Sequence, residues 1–257
     1  MARRGEWERL TKQLMGAQAE VYLLIPRGGF AADGRGVYYD IGTADTLSIA
    51  AHEGWHQYTQ RTFRQPLPTW LEEGIATFME GYRWEGMSPR FLGWSNMERF
   101  DQLRAAAAAG KLLPLEQILS TSPQELLDGP KKTPAQGMSG ASLELEASDG
   151  SNRLLTYYAQ IWALTHFLRE GEGGKYRESL TRLVADAAGG TLRARFVEVL
   201  GEDAAKSTMM LRRGPAGIVV YFNKDVDAFA AEYSRFVEQI VRTGSRDAAV
   251  QGLSPIK

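Results

Sequence analysis

Two of the three histidines in this 257-residue chain, His52 and His56, stand four residues apart in the run His52-Glu53-Gly54-Trp55-His56. No other feature restricts the local backbone as much. On an α-helix, residues i and i+4 differ by about 40° around the axis, so both imidazoles leave the same face. Two imidazoles so placed can reach one zinc ion at about 2.1 Å. Glu53, beside the first, can accept a proton from a water that the metal acidifies to a pKa near 7. The run fits the pattern HExxH. Apolar residues precede it (Ile49-Ala50-Ala51). They point to a largely buried helix, whose histidines need partners.

The flanking segments predict an α+β chain. Residues 5–17 read as an amphipathic helix. VYLLI (21–25) and VYYDI (37–41) read as strands on either side of a glycine-rich turn, GGFAADGRG. A helix is expected from about Asp45 to Phe63, capped by Thr43 or Asp45 and stopped by QPLP (65–68). TWLEEGIATFMEGY (69–82) restarts a helix with Thr69 as cap. Ser88–Pro89 predicts the start of a helix that Gly110 closes, and Ser122–Pro123 opens a shorter one. Residues 129–152 are polar and rich in Gly, Ser and Pro, and read as a long loop able to act as a lid. Helices follow at about 153–169, 175–188, 191–200 and 224–243.

A catalytic zinc site has three protein ligands and an open position. For the third ligand the residues offer His166, the remaining histidine, or a carboxylate of LEEG (71–74) on the next helix.

HEGWH followed by WLEEGIATFME resembles the gluzincin zinc metallopeptidases of the peptidase MA-like superfamily, on the side of the aminopeptidase-N-like and uncharacterised bacterial members. The resemblance covers about residues 20–170. It implies a zincin-like fold: a small N-terminal sheet and the HExxH helix within residues 1–63, then a helical lobe over 64–257, together one two-lobed catalytic domain. It implies that Glu73, the glutamate before glycine, is the third ligand of one Zn²⁺. Glu72 then reads as a solvated or supporting carboxylate. Thr77 stands where some relatives place a residue that supports a ligand, and where thermolysin-like enzymes carry aspartate. TYYAQIWALTHFL (156–168) is similar to the aminopeptidase-like pattern Y-x-x-[small]-x-A-L, with Ile161 replacing the small residue. There Tyr158 would donate a hydrogen bond to the tetrahedral oxyanion. Tyr157 leaves the helix elsewhere. GVYYDI (36–41) stands where the family pairs an edge strand with extended substrate. The exopeptidase motif that captures a substrate's N-terminus has no match.

The expectation is a zinc peptidase that binds metal through His52, His56 and Glu73, uses Glu53 as general base, and takes a peptide or protein as substrate. A catalytically idle zinc-binding scaffold and a zinc hydrolase of non-peptide amides or esters are the alternatives. A net charge of -1 gives no general pull toward nucleic acid or anionic membrane. The absence of cysteine excludes disulfides and thiolate ligands. No apolar run approaches the roughly 18 residues of a membrane span. The charged stretch after Arg3 and Arg4 is no signal-peptide core, so either the protein is not exported or its leader is absent from this chain.

Overall fold

In a computed structural model, which describes residues 3–23, 29–128 and 140–256, the chain opens with helix α1 (Arg4–Met15), which buries Trp7. The segment read as a first strand is helical where described, as α2 (Ala19–Leu23); residues 24 and 25 lie outside the described residues. A short apolar run has no period of its own, and here it continues from the helix formers Ala19 and Glu20.

The first sheet is a hairpin of β1 (Gly29–Ala32) and β2 (Arg35–Tyr38). The glycine-rich segment expected as a turn thus supplies a strand, and the strand placed at 37–41 lies slightly earlier. Ala32 pairs with Arg35 across Asp33 and Gly34, whose φ values are 51° and 68°. Two positive φ angles define the type I′ loop for which Asp-Gly is the preferred pair. Phe30, Val37 and Tyr39 pack with Trp7 into a small N-terminal core. The hairpin lies against α3 (Thr43–Thr62). A Cβ added to Gly36 would come 3.8 Å from the Glu53 Cβ, so β2 crosses α3 at that residue.

Helix α3 follows Gly42 (φ 103°) without a side-chain cap, and its fully buried residues are Thr46, Glu53 and Thr59. The residues it buries are therefore polar, while Ile49, Ala50 and Ala51 ahead of the histidines are half-buried. Pro68, not Thr69, precedes α4 (Thr69–Met79). Helix α4 buries Trp70, Leu71, Glu72, Gly74, Ala76 and Thr77. It ends before Tyr82, which begins a second hairpin, β3 (Tyr82–Glu85) with β4 (Ser88–Phe91). Ser88–Pro89 therefore starts a strand rather than a helix. Both strands of a two-stranded hairpin are edges, where proline's missing N–H costs no ladder bond. The next helix, α5 (Met97–Ala108), is capped by the Asn96 side chain, which accepts from the Arg99 backbone N–H.

Helices α6 (Leu115–Ser120) and α7 (Pro123–Asp128) precede α8 (Gly140–Glu170). The expected loop at 129–152 is thus helical from Gly140 onward, and residues 129–139 lie outside the described residues. The run Leu143-Glu144-Leu145-Glu146-Ala147 consists of strong helix formers, whose propensity outweighs the glycines and serines around it. Helices α9 (Arg177–Gly189), α10 (Leu192–Leu200) and α13 (Val226–Ile240) fall close to expectation. Helices α11 (Glu202–Leu211), α12 (Ala216–Tyr221) and α14 (Ser245–Val250) add to them. The architecture is α+β, predominantly helical with two small antiparallel sheets.

Helix α8 is the axis of the main core, burying Tyr157, Ile161, Trp162 and Phe167 among residues of α4, α5, α9 and α13. Where α4 crosses it, a Cβ on Gly74 would lie 2.9 Å from the Ile161 carbonyl oxygen and 2.6 Å from Thr165 Oγ1. Only glycine permits this approach, and it sets Glu73 beside the helix that carries Tyr158. Among the described residues no helix is long and apolar enough to cross a membrane.

Candidate metal centre

Helix α3 presents His52 and His56 from one face, and α4, packed against it, brings Glu73 to meet them. His52 Nε2 and His56 Nε2 are 3.2 Å apart. Glu73 Oε2 lies 3.5 Å from the first nitrogen, and its Oε1 lies 3.7 Å from the second. Among the described residues, these three form the one group of His, Asp or Glu side chains close enough together to hold a metal ion.

Each imidazole is oriented from behind by a carboxylate. His52 Nδ1 donates to Glu80 Oε1 at 2.8 Å, and His56 Nδ1 donates to Glu72 Oε1 at 3.2 Å. Glu72 also accepts from Thr59 Oγ1 at 2.6 Å. Glu80 is itself held by Asn96 Nδ2 at 2.9 Å and by Arg99, whose Nε and Nη2 lie 3.2 and 3.3 Å from its two oxygens. A carboxylate can only accept, so each Nδ1 carries a proton and each Nε2 is the nitrogen turned toward the cluster. Once deprotonated, both Nε2 atoms can offer their lone pairs to one shared cation.

The electrostatics point the same way. Burial acts to lower the His52 pKa, but the hydrogen-bonded Glu73 and Glu80 outweigh it and raise it to about 10. Burial likewise opposes the charge on His56, yet Glu72 and Glu73 raise it to about 9. Glu73 and Glu80 stay ionised despite burial, because the histidines, and Arg99 for Glu80, hold their pKa values down. The cluster therefore draws positive charge to the point between the imidazoles.

Glu53 differs from the other carboxylates here. It is buried beneath β2, and burial raises its pKa. Glu72, Glu73 and Glu80 each pair with an imidazole, whereas Glu53 makes no hydrogen bond among the described residues. Its lone pairs are uncommitted.

Tyr158 comes to the same place from α8. Its half-buried ring stands 6.3 Å from that of His52, edge to face, and the Arg99 guanidinium lies 5.1 Å from its centre. Burial, reinforced by the Glu73 charge, raises its pKa well above the ordinary phenol value, so it remains a proton donor. Tyr157 is buried in the core, its hydroxyl unpartnered among the described residues. His166 is remote from the cluster. Its Nδ1 meets Glu170 at 3.2 Å and its ring stacks on Trp94. The Thr77 hydroxyl donates to the carbonyls of Glu73 and Gly74 on its own helix and supports no ligand directly.

The supports Glu80, Asn96 and Arg99 were not read from the sequence. Glu80 carried a usable signal: it follows Glu73 by seven residues, two helical turns, and so continues the same face. Asn96 and Arg99 arrive through the β3–β4 excursion, and nothing local marks them. No family model, curated protein or solved structure matches this chain.

Proposed function

We propose that the protein is a zinc-dependent peptidase of gluzincin-like design. The observation that carries this reading is the convergence of His52 Nε2 and His56 Nε2, 3.2 Å apart, on the Glu73 carboxylate, whose Oε2 lies 3.5 Å from the first and whose Oε1 lies 3.7 Å from the second. Ligands at about 2.1 Å in a tetrahedron stand about 3.4 Å apart. Spacings of this size suit three residues that would hold one zinc ion and leave a further position for water or substrate. Two nitrogens and a carboxylate oxygen are the donor set of catalytic zinc, and carboxylates behind both imidazoles are its usual support.

When bound, zinc polarises a carbonyl and acidifies water. The chain's own groups supply the rest. Glu53, with uncommitted oxygens, takes the proton from the attacking water and passes it to the leaving amine. Tyr158 donates a hydrogen bond to the oxyanion, its burial and the Arg99 guanidinium fixing its position. The edge of β2 away from β1, unpaired among the described residues, crosses α3 at Glu53 and is a place where an extended peptide can add as a third strand. An idle zinc scaffold has no use for a buried carboxylate that supports neither histidine.

The test is metal analysis of the purified protein, followed by digestion of a broad peptide library with and without a chelator. One zinc per chain and chelator-sensitive cleavage are expected. A metal-free protein, refractory to zinc loading, would refute the assignment. Stoichiometric zinc without peptide cleavage would leave the ester, amide and scaffold alternatives.

A further inference from the structure

Beside the metal-binding trio lies a second feature with its own chemistry. A cavity of about 310 Å³ opens from His56 and Glu73 toward Arg64 and Arg212, with Phe63 and Pro66 among its walls. Its acidic groups are already matched: Glu72 and Glu73 serve the imidazoles. The Gln60 amide is committed to the β1–β2 hairpin through Gly34 and Ala31. The two guanidiniums are not matched, since neither has a carboxylate partner among the described residues.

Arg212 is built into place. It occupies the left-handed region at φ 55°, unusual for a long side chain. Its carbonyl accepts from the Thr69 N–H at 2.8 Å, tying it to the start of α4. Its Nε donates to the Leu67 carbonyl at 2.8 Å, which fixes the guanidinium plane while both terminal nitrogens make no hydrogen bond among the described residues. Arg64 packs its stem within 3.2 Å of where a Gly190 Cβ would stand, and its one side-chain bond among the described residues is a long 3.5 Å contact to the Gly189 carbonyl. Thr69, the first residue of α4, adds the positive end of that helix to the same cavity. A planar guanidinium with free terminal N–H groups is a bidentate receptor for a carboxylate.

We propose that this cavity is a specificity pocket that seats a carboxylate of the substrate on Arg64 and Arg212, directly beside the scissile bond. The inference rests on the zinc-peptidase reading of the adjoining centre. In a peptide the carboxylate is an Asp or Glu side chain or the C-terminus, and the cavity has room for one residue of either kind.

The experiment uses four peptide hydroxamates, which grip zinc through the hydroxamate oxygens. The neighbouring residue is Glu or Gln, and the C-terminus is free or amidated. Binding to the zinc-loaded full chain is measured by calorimetry. A charge-assisted pair should make one carboxylate bind about tenfold or more tighter than its neutral counterpart. A Glu-over-Gln preference in the amidated pair identifies a side-chain site, and a free-over-amidated preference in the Gln pair identifies a terminal one. Arg212→Gln and Arg64→Gln should each shrink the preference while leaving the neutral probe's affinity unchanged. The wild-type comparison stands even if Arg212→Gln fails to fold, and Arg64 is exposed enough to replace safely. Equal binding of all four probes, or a preference undiminished by Arg64→Gln and by a folded Arg212→Gln, overturns the pocket and leaves the zinc centre standing. Failure of every probe to bind overturns both.

Discussion

His52 Nδ1 lies 2.8 Å from Glu80 Oε1, and Glu80 is clamped on its far side by Arg99 and Asn96. The His52 nitrogen that faces His56 and Glu73 is thus aimed by a chain of contacts that begins on α5. His56 has a shorter chain, through Glu72 to Thr59 on its own helix.

These two supports and the proposed ligand Glu73 should separate in a zinc titration against a chromophoric chelator. Glu73→Ala removes a donor and should weaken zinc most. Glu80→Ala and Glu72→Ala leave all three donors but release an imidazole, and each should cost about 10–100-fold in affinity. A Glu72→Ala loss larger than that of Glu73→Ala would put the third ligand one residue earlier.

Gly74 tests how the fold delivers Glu73. Gly74→Ala places a methyl 2.9 Å from the Ile161 carbonyl, so α4 must shift off α8. Overpacking of this kind costs about 1–3 kcal/mol. Both a lower melting temperature and weaker zinc binding are expected. Adding Thr165→Ala should recover only part of the loss, because the carbonyl remains. An unchanged melting temperature in the single variant would show that the helices do not meet this closely.

The histidine pair was legible in the sequence because its requirement is local: a helix places i and i+4 on one face without help from the rest of the chain. The ion pair of Glu80 with Arg99 was not, because it depends on the path of the second hairpin. The second strand of that hairpin was itself read as a helix start, since Ser88–Pro89 serves a helix start and an edge strand equally well. Which residues α3 buries was not legible either, for a related reason. Glu53 and Thr59 are buried by a site, and burial by a site follows no hydrophobic period. The helical start of α8 was hidden by composition, as glycine and serine around Leu143–Ala147 obscured a short run of helix formers.

The pKa values of the two histidines predict opposite pH responses with and without metal. In the metal-free protein they are raised to about 10 and about 9, above the ordinary 6.5. Groups raised on folding stabilise fully below their unfolded pKa, and that stability is lost as pH rises toward the folded values. Chelator-stripped protein should therefore lose melting temperature between about pH 6.5 and pH 10. Zinc must displace the same protons, so its apparent affinity should rise across that range, with up to two protons released per ion. Parallel pH profiles for the stripped and zinc-loaded protein would rule out this coupling.

Glu53→Gln keeps the shape of the side chain and removes its basicity. Glu53 supports neither histidine, so zinc affinity should stay near that of the wild type while peptide turnover falls by about 10²–10⁴-fold. Full turnover in this variant would move the base elsewhere in the cleft.

Tyr158→Phe and Tyr157→Phe form a matched pair on adjacent positions of one helix. Each removes a single hydroxyl and leaves the ring to pack. The Tyr158 ring sits between His52 and the Arg99 guanidinium, whereas Tyr157 is buried in the core with its hydroxyl unpartnered among the described residues. If the Tyr158 hydroxyl bonds only to the oxyanion, its loss should lower kcat by about 10²–10³-fold with little change in KM. Tyr157→Phe should leave kcat unchanged and hold or slightly raise stability, because it deletes a buried hydroxyl that lacks a partner. Steady-state kinetics on one cleaved peptide, with zinc content and melting temperature measured alongside, tests both. Wild-type kcat in Tyr158→Phe would reduce that residue to a packing role against His52 and Arg99, and the oxyanion would then need another donor.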